Sequence, residues 1–147
     1  MTAIVEGLRA GMTLAEVQGL TPELGAAVAG LAEREAERGD LALARELLEG
    51  LLVLNPRDAL AWALLSQVER RRGEPYVAVI CAETAFRLEP EDRQVRLARA
   101  EALLAVPAEA GTGGGERRRV AREGLAALRE GGDDVARRAS ALLRAMG

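Results

Sequence analysis

Apolar residues along the chain fall three and four positions apart, the step that gathers side chains on one face of a helix. Leu60 and Leu64 lie one turn apart, and Ala121, Leu125 and Leu128 follow in a small, large, large order. Near the C-terminus Val135, Ala139, Leu142 and Leu143 share one side of a segment that starts on Asp133 and Asp134 and carries Arg144 at its end. Those charges suit the positive and negative poles of a helix. Marker residues between and within these runs recur at a step of 34: Gly39 and Gly73, Ala44 and Ala78, Pro56 and Pro90, Leu31 and Leu65. A fixed step of this length marks a chain assembled from like units.

Each unit reads as helix A, a tight turn and helix B. Gly39 and Gly73 end helix A, where a left-handed residue reverses the chain without a Cβ clash. Asp40 caps the helix that follows. Ala44 and Ala78 stand where the two helices of a unit touch, and a small side chain there permits close packing. Pro56 and Pro90 stop helix B. The endings LNPRD and LEPED place Asp58 and Asp92 as caps for the next helices, to which Trp62 and Leu65 give apolar anchors. Repeat 1 spans residues 25–58 and repeat 2 residues 59–92. A 34-residue helix–turn–helix with these markers resembles the tetratricopeptide repeat (TPR). A third repeat, residues 93–130, is interrupted: Pro107 stands where the turn glycine belongs, and the alanine due at 112 is Ala121. The resulting nine-residue insertion, near residues 108–116, is glycine-rich and is expected to form a mobile turn with no binding role. The expected fold is all-α: one domain over residues 1–147, a TPR solenoid of three helical hairpins. Residues 1–20 add an N-terminal helical segment and residues 133–147 a C-terminal capping helix, and seven main helices with no sheet are expected.

Composition narrows the chemistry. Of 147 residues 49% are apolar, enough for one domain with a core, and the only aromatics are Trp62, Tyr76 and Phe86. The core must therefore be built from Ala, Leu and Val. A net charge of −3 offers no basic face for nucleic acid. All the basic residues are Arg, and there is no His, so the commonest general base and metal ligand are both missing. No catalytic constellation emerges; the chain is expected to be no enzyme and to use no cofactor or metal. Cys81 has no partner for an internal disulfide, fits a reducing compartment, and reads as a buried small residue of a helix B. The glycine run at residues 111–115 lacks the Lys-Ser/Thr pair and the preceding strand of a phosphate loop. Arg117–Arg119 read as a solvated helix start, and Arg70–Arg72 suit the negative end of a helix A. No stretch approaches the ~18 apolar residues of a membrane span, and no export signal is visible, so a cytoplasmic location without membrane insertion is expected.

The segment LRAGMTLAEVQGLTPELGAAV, from Leu8 to Val28, carries a more specific likeness. It resembles the start of the class II type III secretion chaperones, TPR proteins that escort translocator proteins. Gly11, Thr13, Leu14, Val17, Leu20 and Thr21 hold the places of that family's Gly-x-Thr-Leu stretch and Ser/Thr bend, and Thr21-Pro22 is a cap followed by a first-turn proline. The likeness runs from Leu8 to about Glu130 and is close through LAWALLSQVERRRGEPYVAVICAETAFRLEPED. It implies a chaperone that holds an extended apolar segment of a secreted translocator-type client in a concave groove before export. The implied groove residues are Ala29, Glu33, Leu60, Ala63, Leu64, Gln67, Arg70, Arg71, Leu97 and Glu101, on the A helices. Leu60, Leu64 and Leu97 are the central apolar contacts in this reading; that they pack only against neighbouring helices stays open. The family lines its groove with Tyr and Phe, so aliphatic, wider pockets are expected here. Glu33 and Glu37 on one repeat, against Arg70 and Arg71 on the next, would orient a client. Arg99 and the insertion also depart from the family. Ile4, Val5, Leu8, Met12, Leu14 and Val17 are too apolar for a short helix to bury alone and point to a homodimer, as the related chaperones also self-associate here. The alternative is a structural TPR adaptor in a bacterial assembly.

Overall fold

The computed structural model describes Glu6, Ala10, residues 21–108 and residues 113–147. Among these residues there are seven helices and no strand: α1 Pro22–Glu37, α2 Leu41–Leu54, α3 Ala59–Arg71, α4 Pro75–Leu88, α5 Arg93–Ala105, α6 Gly114–Leu128 and α7 Asp134–Met146. The helix boundaries follow local chemistry. Thr21 accepts from the Leu24 amide at 3.1 Å, Asp40 from Leu43 at 3.0 Å, Asp58 from Ala61 at 3.0 Å, Asp92 from Val95 at 3.0 Å and Asp133 from Ala136 at 2.8 Å. Each such cap satisfies an amide the helix cannot, and contributes about 1 kcal/mol. Gly39 and Gly73 follow α1 and α3 with φ of 93° and 84°, a conformation that disfavours any side chain with a Cβ. In the third unit Pro107 does the stopping: α5 ends at Ala105, and Val106 is extended ahead of the ring.

The helices pair as hairpins α1–α2, α3–α4 and α5–α6, and each hairpin stacks on the next. α3 touches both α1 and α5, whereas α2, α4 and α6 do not touch one another. The A helices therefore form the inner row of a curved stack and the B helices the outer row. Ala44 and Ala78 are 0% exposed and Ala121 is 1% exposed, each at the seam within its hairpin. Around them Leu48, Leu125 and Leu128 are fully enclosed, so the core is aliphatic, as the scarcity of aromatics requires. Ser66 is buried as well, and its hydroxyl donates to the Ala78 carbonyl at 2.7 Å across the α3–α4 seam.

α7 packs on α6 and α5 and is held at both ends. The Arg93 guanidinium, at the start of α5, donates to both Asp133 carboxylate oxygens at 3.0 and 2.9 Å and to the Leu128 and Glu130 carbonyls at 3.0 and 2.9 Å. Arg118 and Arg122 of α6 donate to the Met146 and Gly147 carbonyls at 2.6 and 3.1 Å, where cations suit the negative pole.

One expectation needs correction. Residues 114–116 are the first turn of α6 and not part of a loop. α6 starts seven residues before Ala121, where α2 and α4 start three before Ala44 and Ala78, so part of the insertion is spent on lengthening a helix. Arg119, bridging Glu116 and Glu123 along that helix, favours the extra turn over the glycines' preference for coil. Leu31 shares its frame position with Leu65 but not its burial, at 39% exposed against 6%. Among the described helices α1 contacts only α2 and α3. Ile4, Val5, Leu8, Met12, Leu14 and Val17, and residues 109–112 of the insertion, lie outside the described residues.

Candidate functional site

The 34-residue step turns the inner row into columns. Ala29, Ala63 and Leu97 occupy one position on successive A helices; Glu33, Gln67 and Glu101 occupy the next, one turn on. Two adjoining clefts open along these columns. The larger, about 280 Å³, has an apolar floor of Leu60, Ala63, Leu64, Leu97 and Val135. Its rim is polar, from Glu33, Gln67, Gln94, Asp134 and Arg138. A smaller cleft of about 120 Å³ lies between α1 and α3, with Ala32, Ala36, Leu48 and Val68 in its walls and Glu37, Arg70 and Arg71 at its edge. Glu33, Leu64 and Gln67 border both clefts, which makes them neighbouring parts of one surface.

Six of the residues singled out from the sequence thus share the larger cleft: Glu33, Leu60, Ala63, Leu64, Gln67 and Leu97. Arg70 and Arg71 border the smaller one. Ala29 is 4% exposed and borders a third space, with Thr21, Leu51 and Leu60, at the other end of α1; Leu60 also lines the larger cleft. Glu101 borders neither cleft. It is 8% exposed, forms an ion pair with Arg70 Nη2 at 3.0 Å and accepts from Arg138 Nε at 3.4 Å. Burial separates the three leucines. Leu60 is 40% exposed, whereas Leu64 and Leu97 are each 8% exposed and belong to core clusters while their edges face the cleft. Core and groove are therefore not alternatives for Leu64 and Leu97; a thin stack of A helices uses the same side chain for both.

The picture of opposed, available charges also changes. Arg71 donates to the Ala36 carbonyl at 2.7 Å, closing the C-terminal turn of α1. Arg70 is taken by Glu101, and its Nε is buried without an acceptor. Both guanidiniums hold the stack together. Gln94, Asp134, Val135 and Arg138 line the cleft without being among the groove residues read from the sequence. Gln94 was within reach, since it stands 34 residues after Leu60; the three residues of α7 lie beyond the repeats, and no frame position announces them.

Away from the inner face, burial and then the charge of Glu69 push the Cys81 thiol up to about 11, so it stays protonated and unreactive at neutral pH. Arg96 and Arg99 stand in the frame positions of Trp62 and Leu65; Arg99 donates to Glu83 at 2.7 Å and lies 4.3 Å over the Phe86 ring. Among the described residues no group of three or more His, Cys, Asp and Glu gathers as a metal site, and no helix is long and apolar enough to cross a membrane.

Stacked helical hairpins with a grooved inner row define a helical-repeat protein of the TPR type. No family model matches the sequence, and no curated protein matches it. Solved structures do. The Yersinia enterocolitica type III secretion translocator chaperone SycD superposes with a TM-score of 0.70 at 18% identity, covering 90% of this chain and 97% of that one. A type III secretion complex from Aeromonas hydrophila superposes with a TM-score of 0.71 at 20% identity, covering 99% of this chain and 95% of that one. The chain has the fold of a type III secretion translocator chaperone, the class that the sequence resembles.

Proposed function

We propose that this protein is a chaperone that holds an extended apolar segment of a secreted translocator-type client on its inner face before export. The observation that carries this reading is the pair of adjoining clefts, apolar at the floor and polar at the rim, running across α1, α3 and α5. The likeness to a translocator chaperone supports it. An extended segment places alternate side chains in the floor, and the rim amides of Gln67 and Gln94 can each donate to and accept from its backbone, fixing register. Covering the apolar side chains keeps the client from aggregating; ordering the client offsets part of the gain, so the complex stays weak enough to release. The reading sets the protein in the cytoplasm, with a second copy engaged through the apolar residues Ile4, Val5, Leu8, Met12, Leu14 and Val17.

Coexpression with an apolar secreted protein encoded beside this chain tests the proposal. The client should remain soluble and copurify with the wild type but not with Leu60→Glu, which alters an exposed floor residue without touching the buried core. A client that precipitates beside the wild type would favour a structural adaptor, and a folded Leu60→Glu variant that keeps its client would remove the groove from the account.

A further inference from the structure

A cleft of about 230 Å³ opens on the outer row, between α4 and α6, which do not touch, and over α5. The repeat frame supplies its filled counterpart. Phe86, Arg96 and Arg99 in its lining stand 34 residues after Leu52, Trp62 and Leu65. Gly124 answers Cys81 by the step of 121 − 78, or 43, that carries Ala78 to Ala121. Leu52, Leu65 and Cys81 belong to one core cluster, and Trp62 packs against it. Arg96 retains one bond of Trp62: its Nε donates to the Pro90 carbonyl at 2.7 Å, as the indole Nε1 donates to that of Pro56 at 2.8 Å. It does not retain the ring, and a Cβ built on Gly124 would meet nothing within 4 Å.

The open cleft is also more apolar than the filled one. Ser66, Glu69 and Thr84 are answered by Ala100, Leu103 and Ala127, so two hydroxyls and a carboxylate are gone from its walls. Contact with water alone would favour the opposite change. Charge selects no ligand here, because Arg96 pairs with Glu91 at 3.2 Å and Arg99 with Glu83 at 2.7 Å. What remains is an apolar hollow edged by two guanidinium planes, one of them already lying 4.3 Å over the Phe86 ring. We infer that this outer cleft receives an aromatic side chain of a protein partner, in the place that Trp62 fills from within the chain one unit earlier. Guanidinium faces favour a ring over an aliphatic side chain. The cleft shares no lining residue with the two inner clefts, so it stands apart from the client reading.

Amide shifts of the isotope-labelled full chain, titrated with blocked Ala-Trp-Ala and Ala-Leu-Ala tripeptides and with indole, test the inference. The tryptophan peptide should shift the amides of Leu103 and Gly124 and bind about threefold more tightly than the leucine peptide. Gly124→Leu places a side chain in the open space, so it should melt no lower than the wild type and lose these shifts. Leu60→Glu, altered only at the inner face, should keep them. Equal binding of the two peptides, no binding of either, shifts confined to the inner clefts, or shifts that persist in Gly124→Leu each overturn the inference. Indole binding more tightly than the tryptophan peptide overturns it as well, in favour of a pocket for a free small molecule.

Discussion

Leu64→Glu, set against Leu60→Glu, separates floor from core on one helix. Leu64 is 8% exposed and packs in the cluster that holds Ala32, Ala36, Leu48 and Val68; Leu60, one turn earlier, is 40% exposed. Emptying a buried leucine site costs about 2–5 kcal/mol. A carboxylate at the same Cβ adds a desolvation cost, tempered because its end can reach the cleft of about 120 Å³ beside it. A total near ~4 kcal/mol is expected, which for a chain of this size lowers Tm by about 8–16 °C. Leu60→Glu should cost less than ~1 kcal/mol, because its side chain is already partly in water. Thermal melts followed by circular dichroism or calorimetry read both variants directly. A Leu64→Glu protein that melts within ~2 °C of the wild type would refute the packing of α3 against α1 and α2 described above. Equal, large losses for the two variants would refute the exposure of Leu60.

Other outcomes follow from the same structure. Deleting residues 1–18 should convert a homodimer to a monomer by light scattering, and an unchanged mass would remove the N-terminal segment from self-association. The Arg93 guanidinium, and then the Ala136 amide, hold the Asp133 carboxyl at about 2 against an ordinary 3.8. Its contribution to stability is therefore complete above the ordinary value and is lost as pH falls toward about 2. In Arg93→Gln a carboxyl titration by NMR should find Asp133 back toward the ordinary range, and an unmoved value would break the pairing. Cys81 should resist alkylation in the folded protein at mildly alkaline pH and react promptly once the chain is unfolded; rapid native-state labelling would contradict its burial.

Helix ends were legible because their signals are local: a glycine that tolerates positive φ, a proline that ends a helix, an aspartate three residues before an amide it caps. The inner columns were legible because a 34-residue step carries one side chain's surroundings to the next, which is how Leu60, Ala63, Leu64, Gln67 and Leu97 could be grouped with Glu33 before any packing was known. Burial was not legible from that frame. Leu60 and Leu64 look alike in sequence, and only the neighbouring helices make one half-open and the other core. The engagement of Arg70 by Glu101 and the approach of Val135 and Arg138 to the cleft join residues far apart in the chain, so no periodic pattern encodes them. The first turn of α6 failed for another reason: three glycines argue for coil, and the ion pairs that outweigh them come later in the sequence.

Ala44, Ala78 and Ala121 carry a consequence for the shape of the whole stack. With only a methyl at each seam, the two helices of a hairpin approach as closely as side chains allow, and each hairpin becomes a wedge of fixed taper. Successive wedges add their angles, so the taper sets the pitch of the superhelix and with it the spacing of the A helices along the inner face. The breadth of the inner clefts is thus set at seams that lie away from them. Substitutions among the lining residues change the clefts' chemistry while leaving their span unchanged. One added methylene at Ala78 would instead splay the middle wedge and rotate everything beyond it, altering the span of the inner face.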